Sequence, residues 1–212
     1  MHGSICFRAC FRAVVVFLVL GPLSGCCPAA PNIPPEALAG HVQNQGFEVT
    51  PLMVHVDSNR QRLALLQGTK VIETFQISTG KKGAGQRENT FQTPLGLHRV
   101  NEKIGHGVPK YGIFHKRRYI GQVWRKVPKA QHRKDYISTR ILRLEGLQPG
   151  FNRGHDWLGR VVDSEKRAIY IHGTTLEWQL GTPFTKGCVH MSAADVIKLF
   201  QTVPVGTLVW IN

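Results

Sequence analysis

The chain is poor in cysteine, with five in 212 residues, and none pair as C-x-x-C. That excludes a thioredoxin-like redox motif and a cysteine-rich zinc ribbon. Its ten histidines form no H-E-x-x-H, so no metalloprotease helix is present, and neither a metal nor another cofactor is expected. The phosphate-cradling G-x-x-x-x-G-K-[ST] is missing as well. The longest apolar run, Ala13 to Leu20, falls well short of the roughly 20 residues that span a bilayer. No internal repeat is visible, and the length suits one domain with a proper core. Acids are scarce too: 13 Asp and Glu against 27 Lys and Arg, a formal charge of +14. Such an excess suits nucleic acid, an anionic membrane surface or a carboxylate-rich polymer, and charge alone does not choose among them.

The N-terminus does choose. Arg8 and Arg12 precede the apolar run, Gly21-Pro22 breaks it, and Leu23-Ser24-Gly25-Cys26 follows. This order reads as a secretory signal over residues 1–25. Its end resembles a bacterial lipobox, which implies cleavage before Cys26 and acylation of that thiol; ordinary cleavage nearby is the alternative. The expectation is an exported protein held at the cell envelope by lipid, on the periplasmic side in a Gram-negative cell. With the signal removed, the net charge becomes 27 − 2 − 13 = +12. Nucleic acid is then not an expected partner. Cys6 and Cys10 leave with the signal and Cys26 is lipidated, so Cys27 and Cys188 remain as thiols.

Residues 26–49 read as a lipidated, Pro-rich tether and lead-in, with a short helix over 36–46. A domain over 50–212, mostly β with short helices, follows. Leu52–Val56, Arg62–Gln67 and Val71–Ser78 alternate as strands across Asp-Ser-Asn and Gly-Thr turns, an antiparallel meander. His55 on the first of these reads as structural. The core is expected to begin near Leu52. A Gly-rich loop covers 79–86, and further strands are expected around 95–100 and 137–147. Residues 103–134 hold ten Lys or Arg, no acid, and Tyr111, Phe114, Tyr119 and Trp124. They read either as a solvated basic face or as a lid-like insertion that attracts carboxylates. Arg167–Ile171 reads as a buried strand delivering His172. Ser192 is a candidate N-cap, with Asp195 three residues on. The run Thr207–Ile211 closes the sheet.

Cys188 lies sixteen positions after His172 and four before Ser192. A cysteine attacks as thiolate, so it needs a base or a depressed pKa. His172 is the candidate base. The coming helix start and Lys186 are candidate stabilisers of the thiolate. The Gly187 and Cys188 amides are candidates for an oxyanion hole. A buried cysteine beside a structural histidine would present the same residues, so the pair alone leaves both readings open.

The surrounding pattern is more specific. His172-Gly173-Thr174, then Thr185-Lys186-Gly187-Cys188-Val189-His190-Met191, resembles the HG…[ST]-x-G-C-[hydrophobic]-R-[ML] pattern of the L,D-transpeptidase catalytic domain, also called YkuD. Ile77-Ser78-Thr79-Gly80, Thr93-Pro94-Leu95-Gly96 and Val205–Ile211 extend the likeness to residues 50–212. The resemblance implies a mixed β-sandwich and a cysteine acyltransferase acting on peptidoglycan stem peptides. Cys188 would form the acyl-enzyme and release D-alanine, and an amine would take the acyl group as a 3–3 crosslink or another product. It also implies His172 as base, the Gly173 carbonyl as its orienter, Lys186, Gly187 and Cys188 amides as the oxyanion hole, and Thr185 and His190 as substrate-binding positions. His190 stands where the family has arginine, which loses a permanent charge and a planar fork for carboxylates. Hydrolysis on the same fold, or a non-enzymatic tether between membrane and wall, are the alternatives.

Overall fold

The computed structural model describes residues 33–212. The export signal, the lipidation site Cys26, the Cys27 thiol and the start of the Pro-rich spacer lie outside the described residues. The rest is mostly β with short helices, in one domain, as the sequence leads one to expect.

Ten strands run in chain order: β1 (Leu52–Asp57), β2 (Arg62–Gln67), β3 (Lys70–Ser78), β4 (Gly96–Ile104), β5 (Gly112–His115), β6 (Arg118–Val123), β7 (Ser138–Gly146), β8 (Tyr170–Gly173), β9 (Val189–Met191) and β10 (Leu208–Ile211). The helices are α1 (Leu38–Asn44) and α2 (Ala193–Thr202). The β1–β2–β3 meander forms with Arg62 opposite Asp57 and Gln67 opposite Lys70. Strand order is β4-β10-β1-β2-β3-β9-β8-β7, and β7 pairs again with β4. The two layers expected of a sandwich are therefore joined in one closed hydrogen-bonded circuit. Its β1–β10 and β8–β9 pairings are parallel, and the others are antiparallel. The closing run is thus no edge strand, because β10 lies between β1 and β4.

Side chains alternate across this wall, as the two-residue period of a strand requires. Val54 and Val56, Leu63 and Leu65, Leu142 and Leu144, Ile169 and Ile171, Val189 and Met191, and Val209 and Ile211 point inward to one core. α2 joins that core through Val196, Leu199 and Phe200. Its N-cap is Ser192, whose hydroxyl accepts the Asp195 N–H at 3.0 Å, one half of the capping box.

Two outer faces are covered, each by a different segment. Ile33, Leu38 and Val42 pack on the outer side of β1, β2, β4 and β10 with Met53, Leu66, Leu97 and Trp210. The core expected to start near Leu52 thus reaches back to Ile33. Pro35 opens a 3-10 turn, where its missing N–H costs nothing, and α1 follows directly. The basic segment lies between the paired strands β4 and β7, carrying the β5–β6 hairpin and two further 3-10 turns. Phe114, Ile141 and Tyr170 pack beneath it, with Cys188 against their edge. The interior cluster has 20 buried side chains and this one has three, so far less apolar burial holds the hairpin than holds the circuit.

Candidate active site

Parallel strands β8 and β9 place His172 directly beside His190. Since Ile171, Val189 and Met191 point inward, His172, His190 and Tyr170 point outward, with Cys188 two residues before His190 on the same side. Lys134, Asp135, Tyr136, Ile137, His172, Lys186, Cys188 and His190 line one cavity of about 490 Å³. Nucleophile and base candidates thus share an opening at the end of the basic insertion.

His172 is buried, and its Nδ1 lies 3.1 Å from the Gly173 carbonyl oxygen. A carbonyl only accepts, so Nδ1 carries the hydrogen and Nε2 is left as the proton acceptor. Ser138 Oγ donates to the same carbonyl at 3.0 Å. Any side chain at 173 would meet Ser138 O at 2.8 Å, so glycine is required there. Ser138 lies at a break in the β7–β8 register, beside Thr139 with φ of 69°, a costly conformation for a β-branched residue. Burial pushes the His172 pKa down, while its bond to Gly173 and the Asp135 charge oppose that shift.

Cys188 does not sit at a helix terminus, as its spacing from Ser192 suggests. β9 intervenes, and α2 starts only at Ala193. Burial pushes the thiol up to about 11, against a bond from the Tyr170 backbone and the nearby Arg167 charge. It donates to the Ala168 carbonyl at 3.4 Å. Ala168 is left-handed (φ 55°), and the expected strand over 167–171 begins only at Tyr170. The thiol is therefore stored protonated, and reactivity depends on a base rather than on a depressed pKa.

The loop before Cys188 is tied on both sides. Thr185 is buried; its hydroxyl donates to Cys188 O at 2.7 Å and accepts the Gly187 N–H at 3.0 Å. Thr185 thus braces the loop, and its hydroxyl already engages the Gly187 amide expected in the oxyanion hole. The Lys186 amide has no acceptor among the described residues. Gly187 adopts φ of 122°, and a Cβ there would meet Gln92 O at 2.9 Å. Thr93 Oγ1 donates to Gly187 O at 2.9 Å, and Lys81 N–H to Thr185 O at 2.9 Å. The Gly-rich loop after β3 is thus a buttress beneath Cys188. Arg167 clamps it, donating to Gln86 O and Gln92 O at 2.6 Å, with its own pKa lowered to about 10 by burial.

His190 is 3% exposed and its ring packs tilted against His172, with centroids 4.3 Å apart, and edge-on to Phe184 at 5.2 Å. Its Nδ1 has no hydrogen-bond partner and lies 3.6 Å from Asp135 Oδ2. Asp135 Oδ1 accepts from Thr174 Oγ1 at 2.8 Å. Asp135, Ser138, Arg167 and Ala168 were not found by sequence reasoning. Only Asp135 left a signal, as the first acid after a long basic stretch.

The L,D-transpeptidase catalytic domain model matches residues 51–211. A Bacillus subtilis protein named "Putative L,D-transpeptidase YqjB" is 41% identical over 70 residues, 32% of this chain and 40% of that protein. A second from the same organism, "Putative L,D-transpeptidase YkuD", is 41% identical over 64 residues, 30% of this chain and 37% of its own length. The chain thus matches about two-fifths of the length of these curated relatives. Among solved structures, an L,D-transpeptidase from Mycobacterium smegmatis is similar at a TM-score of 0.44 and 14% identity, covering 76% of this chain and 58% of that one. L,D-transpeptidase 3 from Mycobacterium tuberculosis is similar at 0.45 and 14%, covering 76% and 61%.

Proposed function

The chain belongs to the L,D-transpeptidase catalytic-domain family, and from that premise we propose that it transfers acyl groups between peptidoglycan stem peptides through a thioester on Cys188. The observation that carries this reading is the meeting in one cavity of His172 from β8 and Cys188 from the bend that enters the parallel neighbour β9. His172 Nε2 takes the thiol proton, Sγ bonds to the stem carbonyl, and the bond to D-alanine breaks as its amine receives that proton. An amine of a second stem then attacks the thioester, and its proton returns by way of His172 to Sγ. The Lys186 and Cys188 amides are the donors for the oxyanion, and each such donor is worth about 2.7–4 kcal/mol of barrier. The basic insertion draws the stem carboxylates to the opening. Cys26, acylated, would hold the enzyme at the cell envelope.

Muropeptide mass spectrometry of cells carrying wild type or Cys188→Ala tests the reading. Loss of 3–3 dimers and of exchanged D-amino acids in the variant is expected; identical profiles would exclude transpeptidation. A purified tetrapeptide stem, incubated with and without an acceptor amine, separates transfer from hydrolysis. Crosslinked product without tripeptide accumulation marks transfer.

A further inference from the structure

Asp135 is the one acid lining the cavity, among Lys134, Lys186, two imidazoles and the thiol. One of its oxygens is bound by Thr174, two residues after His172. The other has no hydrogen-bond partner, and its nearest cationic candidate, His190 Nδ1, is 3.6 Å away. An imidazole held that deep in the wall does not neutralise it, since burial keeps His190 well below its usual pKa. His190 in turn packs tilted against His172. The arrangement puts a carboxylate with no hydrogen-bonded cation in the same cavity as a base whose Nδ1 is already committed to a carbonyl.

We propose that Asp135, supplied by the end of the basic insertion, is the electrostatic partner of His172, stabilising the imidazolium that forms when Cys188 gives up its proton. This rests on the reading of Cys188 and His172 as nucleophile and base. In a Ser-His-Asp triad the carboxylate both orients and stabilises the imidazole. Here the two tasks are divided: the Gly173 carbonyl and Ser138 orient the ring, and Asp135 supplies the charge through space. Each group's titration feels the other. The Asp135 charge raises the His172 pKa against burial, and His172 and Lys186 hold down an Asp135 pKa that burial raises. Facing His172 are Asp135 and Lys134 from the segment before β7, Tyr170 from β8, and Lys186, Cys188 and His190 from β9 and its approach. The β7 residues opposite β8, Ser138 and Ile141, carry no charge.

The test is the pH dependence of Cys188 alkylation by iodoacetamide on the full chain, read by mass, with Cys188→Ala as the blank for other thiols. In that reaction the S–H proton passes to His172, the S–C bond forms and iodide leaves, so no peptidoglycan substrate is needed. The acid limb reports His172: it must be neutral to accept a proton. Asp135→Asn keeps an oxygen for Thr174 and removes the charge. It should move the acid limb about one unit to lower pH; the plateau is not the readout, because the same charge also raises the Cys188 pKa. Asp135→Glu should keep the wild-type limb. A merely structural Asp135 would slow the reaction without moving the limb, or would lose the limb in Asp135→Glu as well; either overturns the proposal. If His172→Gln flattens the profile while Asp135→Asn matches wild type, only the role of Asp135 falls. If His172→Gln itself matches wild type, the nucleophile–base reading falls and takes this proposal with it.

Discussion

The outer wall of the circuit has two covered faces, and they are built from the same alternating strands to opposite ends. Over β1, β2 and β10, Leu38 and Val42 seal apolar against apolar, and the buried His55 and Asp57 line a separate cavity with Ile33 and Pro35. Over β7, β8 and β9 the hairpin packs through its own Phe114 on Ile141 and Tyr170, beside a cavity holding a thiol, two imidazoles and a carboxylate. The strained residues Thr139 and Ala168 and the unpartnered His190 Nδ1 all lie on that second side. A strand offers each face the same geometry, so the chemistry comes from what the covering segment leaves unfilled. One cover contributes stability and the other contributes function, and that division can be broken experimentally.

The largest effect should come from the functional face. Cys188→Ala should reduce acyl transfer roughly a million-fold, to background, the scale on which losing a nucleophile acts. Its thermal unfolding should stay near wild type, which a melting scan beside the muropeptide assay checks. Leu38→Ala should do the reverse. It removes a fully buried side chain from the sealed face and should cost about 2–5 kcal/mol in denaturant titration, with alkylation of Cys188 unchanged at low temperature.

The third prediction concerns pH. His98 is fully buried on β4, with Nδ1 at 3.0 Å from Gly96 O and Nε2 at 2.9 Å from Ser164 Oγ, and burial pushes its pKa down to about 4. The unfolded chain binds a proton near 6.5 and the native state resists it. Stability from this group is therefore complete above 6.5 and falls as pH drops towards 4, by about 3 kcal/mol. His98→Gln should flatten the stability profile in that window. The smallest effect belongs to Ser192→Ala, which removes the α2 cap and should cost about 1 kcal/mol with no change in the Cys188 pH profile.

Much of this was legible in the sequence where one local rule governed. β2 begins and ends with its short apolar run between Arg62 and Gln67, and Ser192 caps α2 because Ser followed by Asp three later is a local signal. His172 and Cys188 stood out as a candidate pair through the family-like pattern around them, His172-Gly173-Thr174 and Thr185-Lys186-Gly187-Cys188, since the pair alone left both readings open. What escaped depended on distant partners. Asp135 matters only because the segment before β7 lies over β8 and β9. The hydroxyl of Thr185 looked available until the loop folded it onto its own neighbours. The suggested helix-terminal thiolate failed because a three-residue strand fits between Cys188 and α2, too short for its alternation to announce it. Ile33, Leu38 and Val42 were read as lead-in because their apolar face has meaning only against the outside of β1 and β10.

The closed circuit has a consequence for the order of events in folding. β1 begins at Leu52, yet its parallel neighbour β10 lies at Leu208–Ile211, and β10 also separates β1 from β4. The wall stays open until that last strand is in place, whatever has already formed in the β1–β3 meander. Pairings so far apart in sequence carry a large loop-closure cost and form slowly. Its core therefore cannot lock early, and the cavity around Cys188 takes shape only once the C-terminal strand has joined the wall.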